Sequence, residues 1–179
     1  DRSSFASMIA ANDGNIYFVS SVLGKIIAID REHGSMRWSI EMNSIAPSHD
    51  ISYQIAAIPG GVVVELYRYR TNTMSGSMVL ARLSEMDGSI DWTISEDINT
   101  WVTNGETILA KRVDQVPLGV NTDDPACCYV LRIDVVTGEI EQQIGSPDIF
   151  ILGLVDDGQT AVTIEMDELL YGEFRGYSV

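Results

Sequence analysis

The stretch Gly34-Ser35-Met36-Arg37-Trp38 decides the fold, because the chain repeats it. It returns as Gly88-Ser89-Ile90-Asp91-Trp92 and, more loosely, as Gly138-Glu139-Ile140-Glu141-Gln142. Five residues before each glycine, a strand-like run ends in an aliphatic residue: Ile29, Leu83 and Ile133. A motif that recurs at 54 and 50 residues indicates a domain assembled from similar units.

A second motif, a turn followed by a β-rich run, alternates with the first. It occurs at Asp13-Gly14, Gly60-Gly61, Asn104-Gly105 and Asp157-Gly158. Asp-Gly and Asn-Gly pairs are typical of two-residue hairpin turns, in which glycine supplies the positive φ. The chain therefore has four turn–strand heads and three strand–turn tails.

The repeat unit reads as four short strands. In the first unit we expect them at Ala6–Ala10, Asn15–Ser20, Lys25–Asp30 and Ser35–Ile40. Four antiparallel strands in about 40–50 residues is the period of a β-propeller blade. The predicted fold is all-β: a propeller of four-stranded antiparallel blades at about residues 1–42, 52–97, 98–145 and 149–179.

The fourth blade is predicted to be incomplete. It begins near Phe150, and after its head we expect only a third strand at Tyr177–Val179. Residues 1–179 are then a single propeller domain closed by the N-terminal strand, or part of a larger propeller. A third possibility is completion by a partner strand, because an open blade edge favours association, including self-association.

The tryptophans near the outer strands have a predicted structural role. An indole buries a large area from one residue. Stacked blades bury their faces against each other. We therefore expect Trp38 and Trp92 to dock onto an adjacent blade.

The whole pattern resembles the PQQ-like repeat of quinoprotein-type β-propellers. The best match runs from Asp13-Gly14 through Ile27–Asp30 to Gly34–Trp38. The second unit has Ser84 where the family has Asp, and the third has Gln142 where the family has Trp. The resemblance covers nearly the whole chain and implies the fold, but it is unspecific for function.

The adjacent cysteines Cys127 and Cys128 allow two interpretations. In the quinoprotein dehydrogenases that the repeat resembles, a vicinal disulfide sits beside the quinone. Here the pair directly precedes the predicted strand Tyr129–Ile133. Alternation along a strand would place one sulfur inward and the other outward, as for ordinary structural cysteines.

Other groups that carry chemistry are few. Asp123-Asp124 and Asp156-Asp157 do not have the spacing of a calcium loop, and turn formation explains them. His33 is expected in a hairpin turn and His49 in a loop, with no nucleophile motif beside either. The sequence thus assigns no catalytic, cofactor-binding or metal-binding residue and implies no cofactor.

The charge balance narrows the choice of partner. The chain has 11 Lys and Arg against 26 Asp and Glu, for a net charge of -15. Such a surface repels nucleic acid and anionic lipid. The run Tyr67-Arg68-Tyr69-Arg70 is accordingly interpreted as a solvated strand face or a local pairing with Glu65. No apolar run approaches the ~18 residues that span a membrane.

The sequence favours a non-catalytic propeller that binds or scaffolds a protein partner. The resemblance implies an extracytoplasmic location: periplasmic, cell-surface or secreted. The alternative is a fragment of a PQQ- and calcium-dependent quinoprotein dehydrogenase whose ligands lie mostly outside this chain. Two long connections, Val113–Ala126 and Arg70–Ser77, are expected to form part of a recognition rim, because binding residues concentrate on such loops.

Overall fold

The computed structural model describes two compact units, Asp1–Glu96 and Asp97–Val179. Within them it describes residues 8–47, 52, 54–69, 76–95, 98–113, 128–145, 149–154, 160–166 and 172–178. Each unit contains two antiparallel sheets in which consecutive strands pair. The four sheets fall within the four repeat spans that the sequence predicts.

The first unit contains two four-stranded meanders. The strands of the first sheet are β1 (Met8–Ala11), β2 (Asn15–Ser20), β3 (Lys25–Asp30) and β4 (Met36–Glu41). A single-turn helix, α1 (Met42–Ile45), follows β4. The strands of the second sheet are β5 (Ile55–Ile58), β6 (Gly61–Tyr69), β7 (Gly76–Ser84) and β8 (Ile90–Ile94). The predicted boundaries of β2 and β3 are confirmed, and β4 is shifted by one residue.

The second unit contains a four-stranded and a three-stranded sheet. The strands of the first are β9 (Ile98–Thr103), β10 (Thr107–Val113), β11 (Cys128–Asp134) and β12 (Ile140–Gly145). The strands of the second are β13 (Ile149–Leu154), β14 (Thr160–Met166) and β15 (Gly172–Ser178).

The predicted strand at Tyr177–Val179 is wrong in extent, because β15 begins at Gly172 and ends at Ser178. Gly172 and Gly176 interrupt the side-chain pattern from which strands are recognised. They nevertheless pair with Met166 and Val162 of β14, since ladder hydrogen bonds need only the backbone.

The tail hairpin is the same in three blades, which explains the repeated glycine. Gly34, Gly88 and Gly138 have φ values of 66°, 73° and 72°, a region that is unfavourable for residues with a Cβ. Their amides donate to the backbone carbonyls four residues earlier, those of Asp30, Ser84 and Asp134, at 2.8, 3.1 and 2.9 Å respectively. The glycine periodicity in the sequence is therefore a periodicity of backbone conformation.

One described head turn, between β5 and β6, has the expected two residues and a glycine of positive φ, Gly60, and the others differ. Two of the described connections, the ones between β1 and β2 and between β9 and β10, have three residues. In the first, Oδ1 of Asn12 accepts hydrogen bonds from the amides of Gly14 (3.0 Å) and Asn15 (2.8 Å). Asn104 does the same for Glu106 (3.1 Å) and Thr107 (2.9 Å). The asparagine side chain, which mimics a backbone turn, closes these loops.

The two sheets of the first unit share one hydrophobic core. The buried side chains come from both meanders, and they include Tyr17, Val19, Ile26, Ala28, Trp38, Val62, Val64, Leu66, Ala81 and Leu83. This is the blade-on-blade burial that the repeat requires, because a lone sheet leaves both of its apolar faces in water.

Among the described residues, no helix is long and apolar enough to span a bilayer.

Candidate functional site

Trp38 docks onto the neighbouring blade, as predicted. Its side chain is 7% exposed, and its indole Nε1–H donates to the carbonyl of Glu85 at 3.0 Å. The six-membered ring lies against Gly88, where an added Cβ would be 2.8 Å from Cδ2 and Cε3 of the indole. Tyr17 flanks the indole, with ring centroids 6.0 Å apart. Trp92 occupies the equivalent position on β8, and its docking stays a prediction.

Glu85 is the residue on which the contacts from the first blade converge. Besides Trp38, the side-chain amide of Asn15 donates to the Glu85 carbonyl at 3.4 Å and to its Oε1 at 3.2 Å. Oε1 also lies against the place where a Cβ of Gly14 would be. The expectation that Gly14 supplies a positive φ is wrong, and the glycine instead leaves room for the end of the Glu85 side chain.

A cavity of about 370 Å³ opens beside this carboxylate. Two head turns and Glu85 surround it, and its lining residues are Asn12, Asp13, Gly14, Ala57, Ile58, Pro59, Gly60 and Glu85. Asn12 bridges the two turns, because its Nδ2 donates to the carbonyl of Ile58 at 3.1 Å. The cavity therefore belongs to the contact between the first two blades.

Two buried polar side chains lie next to Glu85. Asn15 and Tyr17 are both 0% exposed, and the Asn15 amide donates to the Tyr17 hydroxyl at 3.4 Å. Burial raises the pKa of the Tyr17 hydroxyl, and the negative charge of Glu85 raises it further. Within the described part of the chain, no group donates to Oδ1 of Asn15. An acceptor lone pair thus stays unused in a buried place, which is uncommon.

His33 lies where the sequence predicts, in the exposed turn after β3. Its Nδ1 is 3.0 Å from Oδ1 of Asp30. The same oxygen accepts from the backbone amides of Glu32 (3.0 Å) and His33 (2.9 Å), and Oδ2 accepts from Arg37 at 2.6 Å. These contacts stabilise a hairpin, and they leave His33 in a structural setting.

Asp30 makes the stability of the first unit depend on pH. The backbone amide of His33 and then the Arg37 guanidinium hold the pKa of Asp30 well below its ordinary value of 3.8. A group with a lowered folded-state pKa stabilises the fold above its unfolded pKa and loses that effect as the pH falls. We therefore expect Asp30 to contribute at neutral pH and progressively less below about pH 4.

Denaturant unfolding at pH 7, 4 and 2.5 measures this effect in the parent and in Asp30→Asn. The asparagine keeps an acceptor for the turn amides and removes the charge. The difference between the denaturant midpoints of the parent and of Asp30→Asn should decrease as the pH falls. Glu32→Gln, which removes a carboxylate from the same turn, is the matched control. A difference that stays constant to pH 2.5 would contradict the assignment to Asp30.

Several predicted candidates lie outside the described residues. These are Cys127, Asp123-Asp124, Asp156-Asp157, the head Asp157-Gly158, His49, Arg70, and most of the two long connections. Cys128 opens β11 opposite Val113. Tyr67 and Glu65 lie on β6, with Tyr67 half-buried and Glu65 4% exposed.

Sequence reasoning missed the residues that join the first two blades. Asn12 had a recognisable signal, because an Asn before a turn caps its own backbone and Asn104 stands at the equivalent place. Glu85 had no such signal. The residues at the equivalent position of the first and third blades are Arg31 and Val135, which share no chemistry with it. Its role depends on the preceding blade.

One turn of the first blade presents apolar side chains to solvent. Val22 and Leu23, in the turn between β2 and β3, are 73% and 59% exposed. Two hydrogen bonds hold this turn: Oγ of Ser20 accepts from the Leu23 amide (3.2 Å), and the Gly24 carbonyl accepts from the Met42 amide (2.9 Å). Gly24 itself has a φ of 65°. An ordered turn thus displays two adjacent large hydrophobic residues.

Comparisons with known proteins find likeness in structure alone. No protein-family model matches the chain, and no curated protein sequence matches it. BamB from Moraxella catarrhalis is 15% identical, with a TM-score of 0.50 over 96% of this chain and 49% of that one. Acylaminoacyl peptidase from Pyrococcus horikoshii is 14% identical, with a TM-score of 0.59 over 97% and 31%.

Quinohemoprotein alcohol dehydrogenase from Comamonas testosteroni is 11% identical, with a TM-score of 0.51 over 95% of this chain and 34% of that one. The chain thus spans about half or less of the length of these three proteins. BamB and the dehydrogenase have PQQ-like β-propeller folds.

The predicted fold class is confirmed. The chain has a β-propeller fold of four-stranded antiparallel blades. The resemblance to the PQQ-like repeat is confirmed as a likeness of fold. A peptidase and a dehydrogenase are among the proteins that share this fold, so the fold by itself does not select an activity.

Proposed function

We propose that this chain is a non-catalytic PQQ-like propeller module that binds or scaffolds a protein partner outside the cytoplasm. The likeness to BamB supports the propeller fold, and the extracytoplasmic location follows from the resemblance of the repeat. The residues that carry the proposal are Val22 and Leu23. These two large apolar side chains are exposed side by side on an ordered turn, so a partner that covers them would bury apolar surface.

Electrostatics supports a protein partner over other macromolecules. The net charge of -15 opposes the approach of nucleic acid and of anionic lipid. A protein with neutral or basic contact residues meets no such barrier, and complementary charge would accelerate its association.

Photo-crosslinking in the cells that produce the protein tests this proposal. A photoreactive amino acid replaces Val22, and in a second variant it replaces Gln143, a polar exposed residue of β12. We expect position 22 to give a discrete light-dependent adduct, because the partner covers this turn. Adding Leu23→Ser to the first variant should reduce the adduct several-fold, because it removes a neighbouring apolar contact.

Three outcomes of this experiment bear on the proposal. The same adducts from positions 22 and 143, or none from either, would contradict binding at the Val22–Leu23 turn. An adduct with twice the mass of the chain would identify the partner as a second copy.

The quinoprotein dehydrogenase alternative has the same fold and a different requirement. Its calcium needs six to eight oxygen ligands. Among the residues that the structure describes, no three His, Cys, Asp or Glu side chains could hold a metal ion together, so in this alternative the ligands would have to come from elsewhere in the protein. PQQ and Ca²⁺ added to the intact protein should give no saturable binding and no dye reduction with alcohols or sugars. Turnover would replace the present proposal with this alternative.

A further inference from the structure

We propose that the cavity between the first two blades binds the guanidinium group of an arginine side chain on the partner protein. The inference rests on the proposed function, because it names a residue that the partner would insert. Its site is the cavity of about 370 Å³ beside Glu85. Pockets for single ligands have volumes of roughly 300–1,000 Å³, so this one has room for a long side chain and some water.

Several donors of the cavity wall are already engaged. The amide of Gly14 donates to Asn12, and the amide of Glu85 donates to Gly60 at 3.0 Å. The side-chain amide of Asn12 donates to Ile58. Pro59, which also lines the cavity, has no N–H. A ligand that brings acceptors would therefore find few donors here.

The acceptors of the wall and its surroundings have capacity left. Glu85 and Asp13 contribute carboxylates, each with about four lone-pair sites. Asn15, which is 0% exposed and does not line the cavity, donates to Oε1 of Glu85 at 3.2 Å and so holds this carboxylate in place. A group that only donates is the complement of such a wall, and guanidinium has five N–H donors and no acceptor.

The neighbouring cations leave the cavity negative. Arg82 approaches Gly60; its guanidinium is paired with Asp91, while its buried Nε has no partner among the described residues. The guanidinium of Arg31 donates to the carbonyl of Asn12 at 3.0 Å on the exposed side. This contact shows that the rim of the cavity accepts a guanidinium. The two carboxyl groups, of Glu85 and Asp13, give the site an excess of acidic side chains.

Titration with an arginine mimic tests the inference directly. The intact ¹⁵N-labelled protein is titrated with Nα-acetyl-arginine amide while the indole N–H resonance of Trp38 is followed, because that group donates to Glu85. The resonance is assigned from its loss in Trp38→Phe. We expect a saturable shift, and about tenfold weaker binding in Glu85→Gln, since a charge-assisted hydrogen bond is lost.

Matched controls test whether binding depends on the Glu85 carboxylate and on the charge and planar shape of the ligand. Glu32→Gln removes a carboxylate from a turn outside the cavity and should change the affinity less than about twofold. The citrulline analogue, which is neutral, should give no saturable shift. The lysine analogue should bind several-fold more weakly, because an ammonium lacks the planar fork.

Each other result would overturn the inference or part of it. No saturable shift with the arginine derivative, or equal affinity in Glu85→Gln, would remove the site. Equal affinity for the lysine derivative would remove the preference for guanidinium. Tighter binding of free arginine would indicate a small-molecule ligand and not a protein side chain. The adduct from position 22 arises at the opposite end of the blade, so its presence or absence tests the proposed function separately.

Discussion

Replacing Trp38 by alanine is expected to destabilise the first unit by about 3–5 kcal/mol, the range for truncating a buried aromatic residue. The indole is 7% exposed and reaches from β4 to the turn after β7. The substitution removes its contacts with Gly88 and Tyr17 and leaves the carbonyl of Glu85 without its indole donor. Both blades that share the core are affected, because this ring lies at the contact between them.

Urea unfolding, followed by far-UV circular dichroism, measures the loss. Trp38→Phe is the graded control: it keeps an aromatic ring at Gly88 and removes the hydrogen bond to Glu85. We expect a smaller destabilisation for it, about 1–3 kcal/mol, from the lost bond and the reduced ring. A change below 1 kcal/mol for Trp38→Ala would mean that the indole is not needed to join the blades.

The repeated hairpins of this fold could be predicted from the sequence because few residue types can adopt their backbone conformation. A glycine held at positive φ must recur wherever the tail hairpin recurs, and Gly34, Gly88 and Gly138 do so. In each of these blades, the aliphatic strand before the glycine contributes buried side chains. Trp38 was predictable as a docking residue because an indole at an outer strand has few other ways to be buried.

The contact between the blades could not be predicted in the same way. Gly14 belongs to a sequence pair that is typical of a turn with positive φ, yet its φ is not positive, and the Glu85 carboxylate lies against it. That carboxylate comes from a residue 71 positions away in the chain. Local patterns indicate what a segment prefers by itself, whereas this contact depends on a partner that only the tertiary structure brings near.

The candidate site arises where the repeat is broken. The residue after the third strand makes the same backbone hydrogen bond in three blades: Arg31 to Gly14, Glu85 to Gly60 and Val135 to Glu106, at 3.1, 3.0 and 3.1 Å. Its side chain is free to differ because the backbone alone builds the turn. A carboxylate at this point of the second blade gives the cavity its charge, and only a residue outside the repeat pattern could do so.

Replacing Gly88 by alanine is expected to destabilise the first unit by about 2–5 kcal/mol, and Gly34→Ala by only about 1–2 kcal/mol. Both glycines are at the same place in the hairpin, with φ values of 73° and 66°, so both variants incur the strain of a left-handed residue. At Gly88 the new methyl group would also lie 2.8 Å from the Trp38 ring, whereas at Gly34 no atom lies within 4 Å. Overpacking of this kind costs about 1–3 kcal/mol more.

A double-mutant cycle with Trp38→Ala separates strain from overpacking. In the background without the indole, Gly88→Ala should cost about as much as Gly34→Ala, because the methyl group then has room and only the strain remains. The coupling energy between positions 38 and 88, taken from urea midpoints of the four proteins, should therefore be about 1–3 kcal/mol. A coupling near zero would mean that the Trp38 ring moves away from an added methyl group without loss, and that the contact with Gly88 does not hold the blades together.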